Sequence, residues 1–123
     1  MRYLAVGFFS LVSISSQSVA QLTVTINGTI STLVDAECRP ASGTTVTAGS
    51  SDYATATNGF ATQLTVRLNS SSTSPANPTV EVGVPPGSSN FGPLGSLIPA
   101  GGHYIWVRCP DGTWVLAGKW QQS

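Results

Sequence analysis

Charge is the scarcest commodity in this chain, with five Lys/Arg and five Asp/Glu in 123 residues and no run of either sign. A nucleic-acid binder needs a basic footprint to neutralise phosphates, so that class is disfavoured. Histidine occurs once, at His103, and cysteine twice, at Cys38 and Cys109. Such a set gives no zinc spacing, and neither a calcium loop nor a phosphate-binding glycine motif occurs, so no metal and no cofactor is expected. A Ser-His-Asp triad could run only through His103, beside Gly101 and Gly102 in what reads as a solvated loop, and no nucleophile elbow accompanies it. Asp35 and Glu37 share a strand parity and could pair as glycosidase carboxylates do. The five acids are otherwise scattered, and a solvated face is the simpler reading. No catalytic residue is assigned, and the chain is read as a non-enzyme.

Long apolar runs are missing everywhere except residues 3–14. That run follows Arg2 and precedes "SVA" at Ser18 to Ala20, the pattern of a secretory leader cleaved before Gln21. It is shorter than the roughly 20 residues of a spanning helix. The expectation is a leader over residues 1–20 and a single secreted domain over residues 21–123, with no membrane span once the leader is removed. Four Lys/Arg and five Asp/Glu remain in those 103 residues. In an exporting compartment two cysteines pair, so Cys38 and Cys109 are expected to form one disulfide. The closed loop would be worth up to about 4 kcal/mol in the chain-entropy account.

What is present is period-two alternation and hydroxyls: 26 of the 103 residues are Ser or Thr, which suits the outer faces of a β-protein. In "LTVTINGTI" Leu22, Val24, Ile26, Gly28 and Ile30 form one face, and the pattern reads as one long strand running through Asn27-Gly28. "QLTVRL" and "VEVGV" repeat the alternation through Leu64, Val66, Leu68, Val80, Val82 and Val84. The second Asn-Gly, Asn58-Gly59, reads as a type I′ hairpin turn pairing Thr57 with Phe60 and Tyr53 with Leu64. "YIWVRC" and "TWVLAGKW" form a third pair around Pro110-Asp111-Gly112, a combination of turn formers. Between the pairs lie "NSSSTSPANP" and the eighteen-residue "PPGSSNFGPLGSLIPAGG", read as loops.

About seven short strands with one disulfide predict an all-β, antiparallel, immunoglobulin-like β-sandwich, with a small barrel as the alternative. Its core would hold the apolar faces above with Ile105 and Val107, whose parity also turns Cys109 inward. On the opposite parity stand Tyr104, Trp106 and Arg108, and Trp114 and Trp120 share one parity of the last strand. Large rings with polar handles suit binding of a glycan or a protein; the alternative is a second small core beneath the long Pro/Gly loop. Asn27 and Asn69 open glycosylation sequons, "NGT" and "NSS".

"LTVTINGTISTLVDAEC" resembles the N-terminal segment of chaperone-usher pilins over about eighteen residues. The resemblance implies a fimbrial subunit of structural or adhesive role. Its first strand would be donated to a related subunit through Leu22, Val24, Ile26, Gly28 and Ile30, with Cys38 as the first disulfide partner. The late cysteine, the shorter chain and the ending "VLAGKWQQS" depart from that family's pattern. The function expected is a secreted structural or adhesive sandwich whose partners are itself or related subunits. A carbohydrate- or protein-binding module using Tyr104, Trp106, Arg108, Trp114 and Trp120 is the alternative.

Overall fold

A computed structural model describes residues 20–123; the leader expected over residues 1–20 lies almost wholly outside them. Nine strands and one helical turn follow in chain order. They are β1 (Leu22–Ile26), β2 (Thr29–Val34), β3 (Thr45–Ala48), β4 (Ala54–Asn58), β5 (Leu64–Asn69), β6 (Val80–Val84), β7 (Gly87–Phe91), α1 (Leu94–Leu97), β8 (Gly101–Arg108) and β9 (Trp114–Gln122). They build two sheets, β2-β1-β4-β7 and β3-β9-β8-β5-β6, antiparallel except where β3 runs parallel to β9. The expected all-β sandwich is present, with nine strands rather than about seven.

Alternation explains the core. Leu22, Val24 and Ile26 from one sheet meet Leu64, Leu68, Val84, Ile105 and Val107 from the other, all buried, while Val66, Val80 and Val82 pack against them half-buried. Each inward side chain of this size contributes about 1.5–3 kcal/mol of hydrophobic stabilisation. Cys38, in the turn after β2, is bonded to Cys109 at the end of β8, with the Cα atoms 6.0 Å apart. The bond therefore ties the β2–β3 connection to the β8–β9 turn, and so one sheet to the other.

The two Asn-Gly pairs behave opposite to expectation. Asn27 and Gly28 both have positive φ, 50° and 79°, and Ile26 pairs with Thr29, so this is the type I′ hairpin. The single long strand is corrected: Gly28 sits in the turn and Ile30, 68% exposed, leaves the apolar face. The slip that this turn imposes is absorbed by a register irregularity at Leu22/Thr23, which lets Leu33 and Val34 reach the core.

Asn58-Gly59 makes no hairpin, because β4 and β5 belong to different sheets. The Asn58 side chain is buried and accepts the Phe60 amide at 2.8 Å while donating to the Thr62 and Val84 carbonyls. Saturated in this way, it redirects the chain across the sandwich.

The eighteen-residue segment is likewise not a plain loop. Pro85 and Pro86 end β6, since neither donates to a ladder, and the chain crosses to form β7 as an edge strand on β4. Thr55 donates to Asn90 and Thr57 meets Ser88 there, polar pairs that a hydrophobic pattern does not reveal. The turn α1 then places Leu94 and Ile98 in the core.

Candidate binding face on the five-stranded sheet

The third hairpin forms as read: Arg108 pairs with Trp114, the Cys109 amide donates to Thr113 at 2.7 Å, and Gly112 takes φ 92°. Along it the register shifts between Ile105 and Trp106, whose partners are Gly118 and Leu116. Ala117 is the extra residue, buried on the core side. Such a bulge inverts parity beyond itself. Trp114 consequently faces outward, whereas Trp120 points into the core, 6% exposed, with its indole donating to Gln122. The shared parity expected for these two tryptophans is corrected by that one residue.

Trp106 does face outward, yet it is covered. Its indole nitrogen donates to Asn69 Oδ1 at 3.1 Å and to the Ser71 carbonyl at 2.9 Å. Asn69, 1% exposed, also accepts the Ser71 amide and donates to Ser74 and Ala76, so residues 70–77 fold over the ring. Trp106 is thus the centre of a small second core beneath a loop, although under "NSSSTSPANP" and not the longer segment.

Three of the five expected ligand residues, Tyr104, Arg108 and Trp114, remain available to solvent on one face. The geometry adds residues that the pattern left unassigned. Arg67, outward on β5, holds its guanidinium 4.5 Å from the Trp114 ring centroid and pairs with Glu81 at 2.6 Å. Stacking of this kind fixes the ring and contributes about 0.5–1 kcal/mol at an exposed site. Leu116 pairs with Trp106 across β8–β9, and Lys119 with Tyr104. Beside them runs a groove of about 530 Å³ between residues 40–45 and the row Tyr104, Leu116 and Lys119. A smaller depression of about 260 Å³ adjoins it over Tyr104, Lys119 and Thr45.

The other candidates are structural in placement. Asp35 and Glu37 both bind Arg39, at 3.3 and 2.8 Å, rather than forming a carboxylate pair. The Arg39 amide, with help from the Glu37 amide and the guanidinium, holds Asp35 below the usual aspartate range; the Thr113 amide does the same for Asp111. Both are turn-forming bonds. His103 Nε2 lies 2.7 Å from the Pro99 carbonyl. Among the described residues no group of three His, Cys, Asp or Glu could hold a metal. An apolar cavity of about 70 Å³ between the sheets is lined by core side chains such as Val66, Val82, Phe91 and Leu94.

The expected donor residues Leu22, Val24 and Ile26 are buried in their own sandwich, with β1 paired on both sides, by β2 and by β4. Comparison with protein-family models, with curated proteins and with solved structures finds no match. No helix of the described residues is long and apolar enough to cross a membrane.

Proposed function

We propose that this chain is an exported, non-catalytic adhesive module that binds carbohydrate on the outer face of its five-stranded sheet. The observation that carries the reading is the solvent-facing Trp114, held by Arg67 at 4.5 Å, on the same sheet face as a groove lined by Leu116, Tyr104 and Lys119. The C–H face of a pyranose is apolar and packs on a ring, while its hydroxyls need donors and acceptors at the rim. A strand-mounted ring supplies that platform without loop ordering, which keeps the entropic cost of binding low. The leader pattern and the disulfide support export. Tryptophan fluorescence titrated with a glycan panel tests it: a response lost in Trp114→Ala and retained in Trp120→Phe is expected, and silence across the panel contradicts it.

A second reading is a structural subunit that associates with copies of itself or with related subunits. It is favoured by the start of the edge strand β2, Thr29 to Ser31, which carries no charge or proline and leaves Ile30 68% exposed, while Pro40, Ala41 and Thr44 cover the rest of that edge. Such edges template pairing unless blocked. Light scattering on the oxidised protein, with Ile30→Lys as the control, separates an edge-paired oligomer from a monomer.

A further inference from the structure

We infer that the ligand of this face is an acidic glycan, held by Arg108 and Lys119 at the two ends of the aromatic platform. The inference rests on the carbohydrate reading and adds the sign of the ligand's charge.

A count of charges among the described residues points to it. Arg39 is neutralised by Asp35 and Glu37, and Arg67 by Glu81. Arg108 and Lys119 are the two remaining cations; neither makes an ion pair within these residues, and both are exposed. Both stand on the same sheet face. Arg108 lies beside Trp114, and Lys119 beside Tyr104. The two rows are four β8 residues apart, roughly 13 Å at about 3.3 Å per residue.

The acids lie elsewhere. Asp35 and Glu37 are in the turn after β2, while Asp52 bonds Gly49 and Asn27 at the opposite sheet. Asp111, in the adjoining turn, is engaged by the Thr113 amide. On the face itself the only acid is Glu81, already engaged by Arg67. The face is therefore positive in a protein whose described residues carry one more acid than base. A ligand with anionic groups along an otherwise stacking sugar chain matches two rows that each set a cation beside a ring, Arg108 with Trp114 and Lys119 with Tyr104. A neutral glycan would leave both cations without a role, and a protein partner would meet charged and polar side chains around the rings rather than a broad apolar patch.

The probes are a hexamer of galacturonic acid, the neutral galactose hexamer of the same linkage, and a sulfated dextran fragment, each titrated by calorimetry at low and at raised salt. The acidic hexamer is expected to bind at least about tenfold tighter than the neutral one, as charge-assisted hydrogen bonds allow. That advantage should shrink with salt. Arg108→Gln and Lys119→Gln should each lower affinity for the acidic hexamer more than for the neutral one and so remove most of the preference, whereas Trp114→Ala should weaken both alike. Tighter binding of the sulfated fragment would identify sulfate rather than carboxylate as the anion and keep the inference. Equal affinity for acidic and neutral hexamers, unaffected by either Gln variant, overturns the acidic assignment while the carbohydrate reading stands. No binding of any probe overturns both.

Discussion

Asn27, Asn58 and Asn69 are the same amino acid in three different situations, and the differences set what each substitution does. Asn69 accepts the Ser71 amide and the Trp106 indole N–H and donates to two carbonyls from a buried position, so Asn69→Ala strands several polar groups. A loss of about 2–3 kcal/mol in urea unfolding is expected. Asn27 sits at an exposed turn with φ 50°, where Gly substitutes freely, and Asn27→Gly should change stability by less than about 0.5 kcal/mol. The sequon at Asn69 is for the same reason closed in the folded protein, while that at Asn27 is open. Trp106 and Trp114 divide likewise: Trp106→Ala should cost about 3–5 kcal/mol as a core deletion, and Trp114→Ala should leave the unfolding midpoint nearly unchanged. Asp35 and Asp111 titrate below their ordinary range because backbone amides bond the charged form. A carboxylate whose folded pKa is depressed stabilises above its unfolded value and loses that contribution as pH falls through the folded one. Carboxyl NMR titrations should therefore show both midpoints below those of the urea-unfolded chain, with the β2 and β8–β9 turns loosening on the acid side.

At the scale of elements, alternation alone located β1, β5, β6, β8 and β9, because each buries one face. Turn chemistry was the part it could not rank. A dipeptide turns or does not according to what its side chain finds, and Asn58 finds Phe60, Thr62 and Val84 from two elements. The polar edge strand β7 has no hydrophobic signature, since only Phe91 of its five residues is apolar and Ser88 and Asn90 meet threonines on β4. The Cys38–Cys109 bond was legible from the number of cysteines and the expected export. The candidate face was half legible: Tyr104, Arg108 and Trp114 followed from parity, but Trp120 did not, because one extra residue in β9 inverts the count. Deleting Ala117 should restore strict alternation, expel Trp120 from the core and destabilise by about 3 kcal/mol or more, whereas Ala117→Gly should cost only about 1 kcal/mol. Near-ultraviolet circular dichroism and chemical unfolding distinguish the two.

For the whole molecule, the two sheets are held by the apolar layer between them and, at one end, by Cys38–Cys109. Replacing both cysteines by serine should lower stability by about 2–4 kcal/mol without changing the sheet order. Removing residues 21–30 should unfold the domain, because it takes β1 from the middle of its sheet together with Leu22, Val24 and Ile26. A truncated protein that remained folded would show β1 to be dispensable to its own sandwich, as a donated strand requires. With the sandwich intact, its outer face presents Trp114 fixed by Arg67, with Arg108 and Lys119 making no ion pair among the described residues. Amide shift mapping during titration with the galacturonic acid hexamer tests this most directly. The account predicts perturbations confined to β8, β9 and residues 40–45, centred on Tyr104, Trp114, Leu116 and Lys119. Perturbations centred on Ile30 and the β2 edge, or none at saturating hexamer, would contradict it.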